Sequence, residues 1–315
     1  MSTRCAGRTC GGWRKTSSCP TGWRSRRSAR LASSRGSGGT SRRRWAPVQA
    51  HRVVVAGAAG RMGRAAVRTI SRREDMLLVG ALGRKTAVGQ DAGTVAGAGA
   101  VGVPITADLA EIFLAGRPTV LVDLSRGGAV PDHAAVALDH RVPVVIGATG
   151  LAAESVASLR DRCEAEQVGG ILAPNFALGA VLMMEFARRA ARYFPHVEII
   201  ELHHDRKRDA PSGTAARTAR LVAAARGTPP PPAVEETVEA AGARGAPIAG
   251  VPVHSVRLPG LVAHQEVIFG GPGQTLTIRH DSTSEESFMP GLVLAIQRVG
   301  GLRHLVEGLE HVLEL

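Results

Sequence analysis

Two histidines, a lysine and the start of a helix fall within twelve residues: His203, His204, Lys207 and then Ser212-Gly213-Thr214. An imidazole can act as an acid near neutral pH. A lysine ammonium can hold a carboxylate or supply a proton. Ser212 and Thr214 are both residues that cap helices, and the Pro-Ser-Gly turn ahead of them exposes backbone N–H groups suited to an anion. The chemistry expected of this segment is the binding of a carboxylate with proton transfer beside it. Two other readings compete: a polar surface loop, and a metal site using both histidines. Neighbours on a strand project to opposite faces, and no acidic or cysteine partner stands at a ligand spacing, so no metal is expected.

A second segment carries different chemistry. Val55-Ala56-Gly57-Ala58-Ala59-Gly60-Arg61-Met62-Gly63 joins an apolar run to a helical one. Spaced glycines in a strand-to-helix turn let the backbone approach a pyrophosphate, and the helix N-terminus offers free N–H groups. Arg61 and Arg64 add positive charge. Such a turn can also serve only the bend; its position at the head of a strand–helix series favours a dinucleotide. The next apolar run ends Ala81-Leu82-Gly83-Arg84-Lys85. An acid there bonds the ribose 2′-hydroxyl of NADH, whereas arginine suits the 2′-phosphate of NADPH. With no acid and two cations, NADPH is the favoured cofactor and NADH the second. Arg84 and Lys85 as ordinary solvated loop residues is the competing reading.

The elements that must position these residues follow from the apolar pattern. Strands are expected at 53–56, 76–82, 119–124, 142–146 and 170–173, with helices at 58–71, 131–140 and 152–167. Continuous β-branched runs alternating with helices imply a parallel sheet covered on both faces, an α/β Rossmann-like domain. After Asn175 the texture changes. A long helix at 179–194, a strand at 196–202 and a helix from Ser212 or Thr214 to 226 precede a proline-rich loop at 229–232. Strands at 251–258, 262–269 and 275–279 and helices at 288–298 and 302–313 close the chain. The expected organisation is a dinucleotide-binding domain over 51–175 and an α+β substrate-binding and oligomerisation domain on a mixed sheet over 176–286. C-terminal helices over 287–315 return to the first domain.

From Arg52 to the C-terminus the sequence resembles the 4-hydroxy-tetrahydrodipicolinate reductase family. The resemblance rests on the Gly57–Gly63 turn, Gly147-Ala148-Thr149-Gly150, Ala173-Pro174-Asn175-Phe176 and the Glu201–Thr214 run. His254-Ser255-Val256-Arg257-Leu258-Pro259-Gly260 and His264-Gln265-Glu266 add to it. The Glu201–Thr214 run is highly specific and the glycine turn is not. The resemblance implies reduction of a cyclic, dicarboxylated imine precursor by NADPH or NADH with loss of water, on the route to diaminopimelate and lysine. It makes His203 the proton donor and Lys207 the second catalytic residue. It assigns His204, Ser212, Gly213 and Thr214 to the substrate. It assigns Gly57, Ala58, Ala59, Gly60, Arg61, Met62, Arg84, Gly147, Ala148, Thr149, Ala173, Pro174, Asn175 and Phe176 to the cofactor. It also implies a homotetramer assembled through sheets of the second domain. Three positions depart from the family pattern: Gly83 where many members carry an acid, Ala148 where threonine is common, and Glu285 where arginine is expected.

The net charge of +12 comes from the first 50 residues, which hold twelve Lys or Arg and no Asp or Glu; the rest of the chain is neutral by formal count. That segment also holds all three tryptophans and Cys5, Cys10 and Cys19, and disorder is expected of it. An upstream mis-assigned start, a transit peptide and a basic nucleic-acid arm compete as explanations. The neutral body argues against nucleic acid. Cys163 is expected to be a bystander, and the cysteines form no disulfide framework, which suits a reducing compartment. No apolar run is long enough to span a membrane. A cytoplasmic location is expected, or a plastid if the tail is a transit peptide. The alternatives to the main reading are another two-domain reductase of an amino or imino acid, and a nucleic-acid-binding protein acting through the basic arm.

Overall fold

Valines 53 to 55 are fully buried in an interior strand of a sheet, and this placement organises everything around it. The computed structural model describes residues 50–84, 87–148, 150–228, 234 and 237–313. Lys85, Thr149, the proline-rich loop at 229–232 and the basic segment lie outside the described residues. Strand β1 (His51–Ala56) pairs in parallel with β2 (Met76–Leu82) on one side and β4 (Val120–Asp123) on the other. The complete order is β12-β6-β5-β4-β1-β2-β3, with β3 (Ile105–Thr106), β5 (Val144–Ile146), β6 (Gly170–Leu172) and β12 (Leu305–Glu307). Every pairing in it is parallel. Chain direction across the sheet reverses between β1 and β4, and in doubly wound sheets the crevice beyond the strand ends at that point takes the ligand.

Helices α1 (Arg61–Ser71), α3 (Leu109–Gly116), α4 (Val130–Asp139) and α5 (Ala153–Glu166) cover this sheet, and a five-residue helix α2 (Ala92–Ala96) packs on α1. Both α2 and α3 escape a periodicity reading. Each is fixed instead by an aspartate cap: Asp91 accepts from Thr94 N, and Asp108 from the N–H groups of Ala110 and Glu111. Cys163, on α5, is buried, and burial pushes its thiol up to about 11.

The second sheet has the order β11-β10-β7-β9-β8. Its strands are β7 (His196–His203), β8 (Ala246–Ile248), β9 (Val251–Arg257), β10 (Ala263–Gly271) and β11 (Gln274–Ser282). The β7–β9 pair is parallel and the others antiparallel, so the sheet is mixed. Alternate residues Val197, Ile199 and Glu201 on β7, and Gln265, Val267 and Phe269 on β10, face inward. Helices α6 (Leu178–Ala190) and α7 (Gly213–Arg226) pack on that inner side. Both sheets lie in one compact unit of the chain.

The chain end corrects one expectation. Helix α8 (Met289–Val299) is present and packs on α1, but residues 302–313 are not a helix. They form β12, paired in parallel with β6, and a single 3-10 turn over Leu309–Val312. Leu302, Leu305, Leu309 and Val312 mimic a helical stripe in the sequence. Gly308 breaks it with φ of 117°, a conformation glycine alone adopts readily. The backbone is used by the sheet instead: Gly170 N–H donates to His304 O and Gly308 N–H to Leu172 O.

Candidate active site

The strand–turn–helix after β1 builds the first half of the site. Gly57 has φ of 79°, and a Cβ there would stand 2.8 Å from Leu124 O. A Cβ on Gly63 would stand 2.1 Å from Gly57 O, so both positions exclude a side chain. The turn is pinned by Gly57 and Ala58 N–H groups donating to Leu82 O. Helix α1 begins at Gly60 with no side-chain cap and no acid in its first turn, which leaves its first N–H groups available to an anion. In front of it lies a cleft of about 630 Å³.

Gly57, Ala59, Gly60 and Arg84, four of the residues expected at the cofactor, line this cleft. Ala58 is buried behind it, and Met62 packs into the core. Arg61 does not enter the cleft. Its side chain is 86% exposed and Nη1 lies 3.1 Å from Glu285 Oε1. The departure at Glu285 therefore has a structural consequence: the cation beside the glycine turn carries an acidic partner. Exposed pairs contribute about 0.2–1 kcal/mol. Glu285→Gln is expected to tighten dinucleotide binding ~2- to 5-fold by releasing Arg61, with the gain fading at high salt. Titration of the protein with the reduced dinucleotide, followed by its fluorescence at two salt concentrations, checks this.

Three further residues lining the cleft were not singled out by sequence. Ser125 and Arg126 follow β4, and His133 lies on α4. Fully buried Asp123, the last residue of β4, holds His133 Nδ1 at 2.8 Å and accepts from Ser125 N–H at 2.9 Å. The Ser125 hydroxyl is buried with no partner among the described residues. A dinucleotide fits these features: a tight glycine turn on the cleft wall, a helix N-terminus without a side-chain cap and an orphan hydroxyl. Gly147 lies deeper, where a Cβ would meet the Phe176 ring at 2.5 Å. Ala148, Ala173 and Phe176 are buried around it.

The second half is a smaller cavity of about 190 Å³ below the N-terminus of α7. His203, Ser212 and Thr214 are on its wall together with Pro174 and Asn175 from the loop after β6. The histidine segment and the Ala173–Phe176 motif thus meet. Asn175 links them, since its Nδ2 donates to Thr214 Oγ1 at 3.3 Å while its Oδ1 accepts from Ala177 N–H. Ser212 caps α7 by accepting from Ala215 N–H, and open space lies where a Gly213 side chain would be.

A buried carboxylate, passed over in the sequence, supports this arrangement. Glu201 is 0% exposed and occupies an inward position of β7. It accepts from His203 Nδ1 at 2.5 Å, from both terminal nitrogens of Arg257 at 2.8 and 2.7 Å, and from Ser212 N–H at 3.1 Å. Burial works to raise its carboxyl; hydrogen bonds from His203, Arg257 and Ser255 outweigh it and hold the group at about 2. An ionised Glu201 fixes the His203 ring with Nδ1 engaged and Nε2 as the remaining nitrogen. The available signal was a charged residue in the inward series Val197, Ile199, Glu201.

Two expected residues stand apart from this cavity. Lys207 is not on its wall, and its Nζ lies 2.8 Å from both carboxylate oxygens of Asp209. That ammonium holds the Asp209 carboxyl below its usual range, with burial opposing. His204, one residue past His203, has a buried Nδ1 with no partner among the described residues. His264, Gln265 and His280 are on the wall without having been assigned a role. Among the described residues no cluster of three or more His, Cys, Asp or Glu could hold a metal ion, and no helix is long and apolar enough to cross a membrane.

Comparison with known proteins follows the same two halves. Residues 51–176 match the family model described as dihydrodipicolinate reductase, N-terminus, and residues 179–313 match its C-terminus counterpart. A 4-hydroxy-tetrahydrodipicolinate reductase from Moorella thermoacetica is 55% identical over 265 residues, covering 84% of this chain and 98% of its own. That of Geobacillus thermodenitrificans is 51% identical, covering 84% and 99%. Among solved structures, a dipicolinate-bound dihydrodipicolinate reductase from Paenisporosarcina sp. TG-14 is 44% identical with a TM-score of 0.74, covering 84% of this chain and all of its own. An amine dehydrogenase from Mycobacterium smegmatis, 16% identical with a TM-score of 0.52, shares the fold alone.

Proposed function

The chain belongs to the dihydrodipicolinate reductase family, and we propose that His203 and Lys207 serve its reaction, with NADPH as the preferred reductant. The protein is an NAD(P)H-dependent oxidoreductase that reduces 4-hydroxy-tetrahydrodipicolinate to tetrahydrodipicolinate in diaminopimelate and lysine biosynthesis. The observation that carries the catalytic reading is His203, held by a buried carboxylate on the wall of a cavity that also includes the α7 N-terminus.

A bound reduced nicotinamide supplies the hydride. The protein's own groups do the rest. Gly213 and Thr214 N–H groups hold one substrate carboxylate at the start of α7. Lys207 takes the other by exchanging Asp209 for it, and His204 borders the same substrate. Two fixed carboxylates orient the ring, which is an entropic advantage. The 4-hydroxyl leaves as water with a proton from the adjacent ring carbon, which conjugates the ring. Hydride added at that 4-carbon puts negative charge on the conjugated system, and His203, its ring set by Glu201, delivers a proton to it from Nε2. Gly57, Ala59, Gly60 and Arg84 hold the dinucleotide, with Ala58, Arg61 and Met62 completing the turn. Gly147, Ala148, Thr149, Ala173, Pro174, Asn175 and Phe176 serve its nicotinamide end.

Arg84 favours NADPH because its exposed guanidinium stands at the end of β2, where a ribose 2′-phosphate is expected, and Gly83 supplies no acid for a 2′-hydroxyl. Arg84→Ala is expected to raise KM for NADPH ~10-fold and leave KM for NADH within about 2-fold. A cytoplasmic homotetramer completes the proposal. Support for the tetramer comes from the half-buried Ile200, Leu202 and Ile268 on the face of the second sheet away from α6 and α7.

The test supplies the full chain with substrate generated in place from aspartate semialdehyde, pyruvate and a synthase, and follows nicotinamide oxidation. Oxidation that depends on substrate and runs faster with NADPH is expected. A folded protein that binds NADPH and turns over nothing would return the substrate assignment to another amino or imino acid.

A further inference from the structure

We propose that Gln265 recognises the 4-hydroxyl of the substrate through its side-chain oxygen, so that the cavity selects the hydroxylated ring over its dehydrated form. The inference rests on the substrate reading above and adds a specificity-determining residue to it.

Strand register puts Gln265 beside the reacting groups. It pairs with Glu201 across β10 and β7, two positions along from the Ala263–His203 pair and therefore on the same face. Residues so placed lie about 5 Å apart directly and about 7 Å diagonally between Cβ atoms. Gln265 is also on the cavity wall, and it is buried.

Its amide has one orientation. Thr218 Oγ1 donates to Thr214 O at 2.8 Å, and a hydroxyl has a single proton to give. Toward Gln265, Thr218 Oγ1 can therefore only accept. The Gln265 NH2 group must face it, which it does at 2.8 Å. This turns Oε1 away from Thr218, where it has no partner among the described residues. Several other polar side chains of the wall are engaged, while His203 keeps Nε2 free for the proton it delivers. Asn175 Oδ1 accepts from Ala177 N–H, Ser212 Oγ from Ala215 N–H, and Ser282 Oγ is bonded to His280 and Ser287. His264 uses both ring nitrogens, on Asp281 and on Val262 N–H. A buried acceptor left unpaired costs about 1–3 kcal/mol, so a donor from the ligand is the complement that site requires.

Polarity then selects the donor. Two ionised carboxylates and an imine nitrogen all accept hydrogen bonds. The 4-hydroxyl is the ring's one donor, and it is the group that dehydration removes. The N–H groups of α7 meet the carboxylates, and Gln265 Oε1 meets the hydroxyl.

The experiment compares three probes by calorimetry on the full chain: 4-hydroxypiperidine-2,6-dicarboxylate, piperidine-2,6-dicarboxylate and dipicolinate. The natural protein is expected to bind the hydroxylated piperidine ~5- to 10-fold tighter than its parent. Gln265→Met should bring the two within about 2-fold while leaving dipicolinate affinity within about 3-fold, and Gln265→Glu should keep the preference. Thr218→Val leaves Gln265 in place but frees its amide to turn, so the preference should fall there as well, which keeps the proposal testable if the methionine variant does not fold. A preference retained in the methionine or valine variant overturns the proposal, as does no preference in a natural protein that binds dipicolinate. Failure of the natural protein to bind any of the three overturns the dicarboxylate reading, and the proposal with it.

Discussion

Glu201→Gln is expected to cost about 3 kcal/mol of stability and to lower kcat ~10- to 100-fold. The substitution changes one atom and one charge. It leaves Arg257 facing a neutral amide, although Arg257 makes a two-pronged contact with Glu201 and its Nε has no partner among the described residues. Breaking a buried pair by neutralising one side leaves an uncompensated charge, which is the expensive outcome. The amide NH2 must also face a donor, since His203, Arg257 and Ser212 N–H all donate to this carboxylate. A protein of this size loses ~2–4 °C of melting temperature per kcal/mol, so a fall of roughly 6–12 °C is expected by calorimetry.

Acid titration gives an independent reading of the same carboxylate. Its pKa in the folded protein, about 2, lies below its ordinary 4.5. A depressed carboxylate stabilises the fold above its unfolded pKa, and the contribution disappears as pH falls through the folded one. The natural protein should therefore lose about 3 kcal/mol between pH 4.5 and 2 from this group, and the glutamine variant should lack that part of the decline. An unchanged melting temperature at neutral pH, or identical acid profiles, would sink the role assigned to Glu201.

What could be read from the sequence follows a physical pattern. Buried parallel strands announce themselves, because Val53-Val54-Val55 and the run 76–82 are apolar on both faces of the sheet. The strand bearing His203 and the helix capped by Ser212 were legible for the same local reasons, alternation and a cap. Short elements fixed by tertiary contact were not. Helix α2 depends on the Asp91 carboxylate, which also accepts from Val101 and Gly102 N–H groups ten and eleven residues on. Strand β12 exists because β6 offers an edge to it, while its leucines carry a helical spacing.

The site divides along the same line. The glycine turn and the histidine segment are local, so their chemistry could be named from residues alone. The pairs that complete them join residues ten to more than two hundred positions apart: His133 with Asp123, Arg257 with Glu201, Gln265 with Thr218, Arg61 with Glu285. Each lies at a separation that no periodicity encodes. Glu285 shows the limit from the other side. Its departure from the expected arginine was visible, yet its partner across the molecule was not.

His203→Gln separates chemistry from architecture, and its expected effect is the larger of the two on turnover: a fall in kcat of ~10²- to 10⁴-fold with KM for both substrates changed by less than about 3-fold. The ring is partly exposed at the end of β7 and contributes one of several hydrogen bonds to Glu201, whose pairing with Arg257 survives the change. Melting temperature should therefore move little, in contrast to Glu201→Gln. A glutamine amide can still donate to Glu201 but has no transferable proton near neutral pH. A loss confined to kcat identifies an interaction made in the transition state. Steady-state kinetics with NADPH, beside a binding titration of dipicolinate, distinguishes the cases. A kcat within about 3-fold of the natural protein would move the proton to Lys207 or to solvent. A large rise in KM or in the dipicolinate Kd with kcat retained would make His203 a binding residue and leave the acid unassigned.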